Sequence, residues 1–249
     1  MSAMNDQEKG DFVERQITSG TNLILRGGHE SLAGPLFAIN WFDARPAWIY
    51  HLYNFLAGSR LTKAGGRAIF KAKVVKALSG DETLARQFLL IVRYPSAENF
   101  LNLASDRAFL AFSVLRMVSV KRFSFVMHER KVDGSGDDRQ QRTRSLPCSA
   151  VVHFAASDAD AVLETLSRSI AESDVQIGFR GKLAVTAATR DHDGEKTMPY
   201  VTDNTVLLMA GSNSQLEDFF SGDGFQQFVS RTDRHYAGLL RPVLRAEDE

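Results

Sequence analysis

Adding 116 to the numbers of Ser96, Phe100, Leu103, Ser105, Phe109 and Phe112 gives Ser212, Leu216, Phe219, Ser221, Phe225 and Phe228. Composition alone does not produce an unbroken register of that length, so the two halves read as internal repeats. A repeat guarantees shared architecture only, because two copies that keep one fold can lose or change a site. The 249 residues suit one large domain or two of roughly 120 residues.

The boundary between the halves is compositional. From Lys131 to Ser145 the chain reads KVDGSGDDRQQRTRS, with one apolar side chain, too little burial to offset the entropy of ordering. This reads as an interdomain linker whose Arg139, Arg142 and Arg144 could grip an acidic partner. The expected division is an N-terminal extension over 1–33, a first domain over 34–130, a polar linker over 131–147 and a second domain over 148–249.

Periodicity predicts the same order of elements on each side: strand, helix, strand, strand, helix, strand. In the first half Leu36 to Trp41 reads as a strand. Ala44 to Ala57 reads as a helix, ended by Gly58, with Trp48, Leu52 and Phe55 on one face. Arg67 to Ala77 and Arg86 to Tyr94 are strands around the turn residues Ser79-Gly80-Asp81. Ser96 caps a helix that is interrupted at Ser105-Asp106, and Arg122 to His128 closes the half. In the second half Ala150 to Phe154 is a strand, and Ser157 or Asp158 opens a helix with Val162, Leu166 and Ile170 four apart. Val175 to Thr186, Thr205 to Ala210 and Tyr236 to Leu244 are the remaining strands.

In this order the chain resembles the dimeric alpha/beta-barrel superfamily, and most nearly its DUF1330-type branch. The resemblance is carried by Gly65-Gly66-Arg67 before the second strand and Arg93-Tyr94-Pro95-Ser96 after the third, followed by Phe100 and the helix with Phe109. The second half has Gly178-Phe179-Arg180-Gly181 and Ala210-Gly211-Ser212 instead, a looser match. The resemblance implies an α+β fold: tandem ferredoxin-like repeats, each with a four-stranded antiparallel sheet, closing a dimeric-type barrel. One sheet with helices on one face leaves its other face uncovered, and a covalent repeat can supply the cover. The expected state is therefore a pseudo-dimeric monomer or a homodimer.

Candidate site residues follow from strand alternation. Lys71 and Lys73 project together from the second strand, where burial would favour their neutral forms or demand an anionic ligand. On the third strand Arg93 could bind a carboxylate bidentately, while Tyr94, pointing the other way, could supply a ring wall or a phenolic donor. Asn40 and Trp41 end the first strand. His128, at the end of the fourth, is the proton-transfer candidate of the first half. His51 reads as structural, on a helix that should cover the sheet. In the second half His153, Arg180 and Lys182 are expected to share one chamber as a cationic set that binds a carboxylate or stabilises an enolate.

Other chemistries find little support. Thirty Lys plus Arg balance 30 Asp plus Glu, so nothing favours nucleic acid. The single cysteine, Cys148, excludes an intrachain disulfide and reads as a small hydrophobe beside a strand. Asp191, His192, Asp193 and Glu195 crowd together but fit neither a calcium loop nor an HExxH helix, so no metal is expected. His29 and His235 have no distinctive spacing. Some members of the superfamily are haem-degrading or cofactor-independent oxygenases with Asn, Trp and His in the cavity. Asn40, Trp41 and His128 do not match that pattern in order and spacing, so no cofactor is expected. Met1 to Arg15 lacks an export signal and the apolar runs are too short to span a bilayer, which leads to the expectation of a cytoplasmic chain without membrane insertion. The expected partner is a small hydrophobic carbonyl or carboxylate compound, bound or transformed by oxygenation, isomerisation or cyclisation. A noncatalytic binding or assembly module is the alternative.

Overall fold

The computed structural model describes residues 34–130, 146–190 and 203–245. The N-terminal extension with His29, the linker from Lys131 to Ser145, and the excursion holding Asp191, His192, Asp193 and Glu195 lie outside the described residues.

The first repeat runs β1 (Leu36–Ala44), α1 (Ala47–Lys63), β2 (Arg67–Gly80), β3 (Phe88–Tyr94), α2 (Ala97–Ala104), α3 (Arg107–Ser119) and β4 (Val120–Arg130). The second runs β5 (Cys148–Ala155), α4 (Ala159–Ala171), β6 (Gln176–Arg190), β7 (Asn204–Ala210), α5 (Asn213–Ser221), α6 (Asp223–Val229) and β8 (Arg234–Arg245). The strands close into one antiparallel barrel in the order β1-β3-β2-β8-β5-β7-β6-β4, and the fold is α+β, built from two ferredoxin-like repeats. By contacts the described residues form two compact units. One takes β1, α1, the start of β2, most of β3, and α2 to β4. The other takes the rest of β2 with β5, α4, β7, α5, α6 and β8, and β6 contributes to both.

The repeated register has a physical basis in capping. The Ser96 hydroxyl oxygen accepts from the Asn99 N–H at 3.3 Å. Its counterpart Ser212 accepts from the Gln215 N–H at 3.2 Å while Gln215 Oε1 accepts from the Ser212 N–H at 3.0 Å, a reciprocal capping box. Both copies then break and restart. The Asp106 carboxylate accepts from the Phe109 N–H at 2.7 Å to open α3, and Gly222 stands between α5 and α6. Asp158, rather than Ser157, caps α4 by accepting from the Ala161 N–H at 3.1 Å.

In the second repeat Val162, Leu166 and Ile170 of α4 share a core with Ala150, Val152 and Phe154 of β5, Val206 and Leu208 of β7, and Phe219, Phe225 and Phe228. Half-buried Cys148 packs against this core as a free thiol. That arrangement assigns even-numbered residues of β5 and β7 to the helix-covered face, and odd-numbered ones to the other.

The first helix departs from expectation in two ways. Gly58 does not end α1; a Cβ there would meet nothing within 4 Å, and the helix continues to Lys63. It stops at Gly65, whose φ of +77° lets its N–H bond the Thr62 carbonyl while the Gly66 N–H bonds that of Leu61, a Schellman cap. The Gly-Gly step is thus a helix terminus. Moreover, Tyr50 and Ala57 are the buried residues of α1, whereas Trp48, Leu52 and Phe55 are exposed.

The β2 turn is anchored by a histidine that carried no signal in sequence. Gly80 has φ +91°, and a Cβ on it would collide with the His235 carbonyl. The half-buried His235 ring hydrogen-bonds through Nε2 with the Ser79 hydroxyl at 3.0 Å and lies 3.4 Å from the Thr232 hydroxyl through Nδ1. Burial holds its pKa below the ordinary 6.5. Between the folded value and 6.5 the unfolded chain therefore binds more protons, so stability declines as pH falls below 6.5 and levels off beneath the folded pKa. Thermal melts from about pH 7.5 to about pH 5 are expected to show this decline, and His235→Gln is expected to remove that component of it.

Candidate functional site

The sheet face turned away from the helices in the second repeat holds a buried polar set. On β5 the residues are Ser149, Val151 and His153, on β7 Thr205, Leu207 and Met209, and on β8 Tyr236, Gly238 and Leu240. His153 lies directly opposite Thr205 on one side and Tyr236 on the other. Ser149, His153, Thr205 and Tyr236 are all at 0% exposure. Polar groups so deep must be hydrogen-bonded to be tolerated, and His153 Nδ1 shares a hydrogen bond of 2.9 Å with the Thr205 hydroxyl.

Tyr236 contributes a neutral phenol. Burial, and secondarily the negative charge of Glu82, push its pKa up to about 12, so it stays protonated and able to donate throughout the neutral range. Its ring lies over Gly238, where a Cβ would come within 2.8 Å of the phenolic oxygen. Gly238 is there because the tyrosine occupies the space of its side chain.

Arg180 and Lys182 do not join this set. β6 carries an irregularity between Ile177 and Phe179, after which Arg180 pairs with Val206 and Lys182 with Asn204. Both cations therefore stand on the helix-covered face, opposite to His153, and the Lys182 ammonium donates to Asp160 of α4 at 3.0 Å. The single chamber expected for His153, Arg180 and Lys182 is not formed, because Gly178 is an extra residue that reverses the alternation after it.

In the first repeat Phe37, Ile39 and Trp41 share a face with His128, Val126 and Ser124. His128 is at 0% and Trp41 at 1% exposure, so these two candidates are brought to one buried face. The end of β1 beside Trp41 is fixed by the buried Asp43 carboxylate, whose Oδ2 accepts from Arg122 Nε at 2.7 Å and Nη2 at 2.6 Å. Asn40 points the other way and ties β1 to β3, donating to the Leu90 carbonyl at 3.2 Å. Tyr94 also lies on the helix side, its ring edge-on to Phe100 at 5.4 Å, while Arg93 is exposed. Lys73 is exposed opposite Arg241, whereas Lys71 is half-buried and its pKa is lowered by desolvation. His51 is exposed, 6.5 Å from the Tyr50 ring. Among the described residues no group of His, Cys, Asp and Glu is arranged to hold a metal ion.

Sequence reasoning missed Thr205, Tyr236 and Ser149 as site residues. β7 reads NTVLLMA, an apolar run in which alternation is invisible, so Thr205 looked like a strand terminus. The signal that could have found Tyr236 is Gly238 two residues on, a glycine inside a strand with an aromatic neighbour on its own face.

No protein-family model matches the chain, and no curated protein is significantly similar to it in sequence. Solved structures are similar in fold. An anthrone oxidase-like protein superposes with a TM-score of 0.52 at 12% identity, covering 87% of this chain and 97% of that one. A mutant chlorite dismutase from Candidatus Nitrospira defluvii gives 0.46 at 10% identity, covering 86% and 95%. A protein of unknown function from Rhodopseudomonas palustris gives 0.37 at 20% identity over 38% of this chain and 81% of that one. The first of these likenesses spans both repeats and agrees with the tandem α/β barrel; at such identity it concerns fold alone.

Gly238→Ala is expected to displace the Tyr236 ring and cost about 1–3 kcal/mol of stability, as overpacking does in a filled interior. Urea unfolding measures the loss, and Gly238→Ala combined with Tyr236→Leu is expected to recover part of it.

Proposed function

We propose that the chain binds a small hydrophobic carbonyl or carboxylate compound at the His153 face and transforms it by proton transfer without a bound cofactor. One observation carries the reading: an imidazole oriented by the Thr205 hydroxyl at 2.9 Å lies across from a phenol held neutral by burial. His153 takes a proton from a carbon made acidic by the carbonyl, either next to it or conjugated with it through a ring, and the Tyr236 phenol donates a hydrogen bond to the enolate oxygen that develops. A site shielded from water strengthens both interactions. Arg180 and Lys182, on the opposite face, have no part in it; Trp41 and His128 form a second candidate set in the first repeat. The enolate is the common intermediate for oxygenation, isomerisation or cyclisation. We assign the first repeat to the DUF1330-type branch on Gly65-Gly66-Arg67 and Tyr94-Pro95-Ser96.

A noncatalytic binding or assembly module is the second reading, favoured by the complete burial of the same four polar residues. Proton exchange separates the two. The fold likeness to the anthrone oxidase-like protein makes anthrone, an enolisable tricyclic ketone, the first probe. The full chain is expected to accelerate deuterium uptake at the anthrone methylene, followed by NMR, and His153→Ala to lower that rate by about 100-fold or more. Tyr236→Phe is expected to slow it as well while leaving the melting temperature near that of the parent. Bound anthrone with no acceleration over buffer would leave the noncatalytic reading standing.

A further inference from the structure

The helix layer of the first repeat carries a surface that its own fold does not use. On α1 Trp48, Leu52 and Phe55 recur at helical spacing and face outward, Phe55 at 81% and Trp48 at 67% exposure. On α3 Val114 and Val118 are exposed, and the buried side chains there include Ser113 and Ser119. The two helices run antiparallel side by side. Arg60 near the end of α1 reaches Asp106 at the start of α3 at 3.6 Å, and the Arg45 N–H, just before α1, donates to the Ser119 carbonyl at the end of α3 at 2.7 Å. Their apolar stripes therefore form one contiguous surface, of which the two aromatic rings alone leave on the order of 300 Å² uncovered.

The charges around that surface are mainly basic, and the Asp106 carboxylate at the start of α3 is paired with Arg60. Neither α1 nor α3 contains an Asp or Glu. Exposed cations stand at both ends: Lys63 and Arg107 at one, Arg45 at the other. The second repeat provides an internal control, since α4 buries Val162, Leu163, Leu166 and Ile170 and points Asp160, Glu164 and Arg168 outward into ion pairs. The apolar, acid-free helices are α1 and α3 of the first repeat.

We infer that this face docks on an anionic lipid surface, with the aromatic side chains entering the headgroup region and Arg45, Lys63 and Arg107 meeting lipid phosphates. Projecting Trp and Phe over a flat helix pair suit a bilayer interface, whereas a peptide helix requires a groove. A second copy would set cations against cations, because both ends of the stripe are basic. Among the described residues no helix is long and apolar enough to cross a membrane, and the attachment is to the surface, through this face.

The two tryptophans make the test specific, since Trp41 is buried at 1% exposure and Trp48 is open. The full chain is mixed with vesicles of phosphatidylcholine alone and of phosphatidylcholine with phosphatidylglycerol, at low and high salt. The expected result is co-sedimentation and a blue shift of Trp48 emission with the anionic vesicles only, diminished by salt. Trp48→Ser with Phe55→Ser is expected to weaken binding by about 100-fold or more, and Lys63→Glu with Arg107→Glu by about 30-fold. All four side chains are on the surface, so thermal melts of the variants should match the parent. The inference is overturned by no vesicle binding, by equal binding to neutral vesicles, or by binding that survives the Trp48 and Phe55 changes. It is equally overturned by self-association that those changes abolish, which would assign the face to a second copy.

Discussion

Helix packing on one side of each sheet decides what the other side can be. Strand side chains alternate, so once Val152, Phe154, Val206 and Leu208 are committed to the phenylalanine-rich core beneath α4, α5 and α6, the odd-numbered residues of β5 and β7 have a single remaining direction. His153 and Thr205 meet because two apolar residues on each neighbouring strand have already been claimed. The candidate chemistry of the second repeat is in this sense a by-product of its hydrophobic order. The first repeat obeys the same rule with a smaller core, in which Leu36, Ala38, Val92, Tyr94 and Met127 turn toward the helices and leave Trp41 and His128 for the opposite side.

Much of this architecture can be read from residues. The register shared by Ser96 and Ser212 corresponds to two hydrogen-bonded N-caps, and the interruption at Ser105-Asp106 is a true break with its own cap. Helix periodicity on α4 identified the buried residues because its outward positions are charged. The same reasoning misjudged α1, where apolar residues occur on every side and no stripe distinguishes core from surface. Gly58 misled in a related way: glycine signals a helix end only where positive φ is required, and the residue meeting that need is Gly65.

The site was half legible. Histidines are rare enough to single out, and both strand candidates proved to be buried. Their surroundings were not legible, because the relevant partners sit on strands brought alongside by topology, and cross-strand register is set by irregularities that leave no mark in composition. Asn40 and Trp41, adjacent in sequence, were separated simply by the pleat. The tyrosine that completes the His153 group hid at the start of a strand whose apolar run continued for several residues beyond it.

The additional residue at Gly178 belongs to the bend of β6 and takes no place in its pairing. With Gly178 excised, Ile177 opposite Leu208 would be followed directly by Phe179 opposite Leu207, and Arg180 would keep its place beside Val206. Loss of one codon would thus straighten the strand while leaving Arg180 and Lys182 facing the helices. Filling the inserted position has a different consequence, since a Cβ on Gly178 would lie 2.6 Å from the Met209 sulfur and the thioether would have to move.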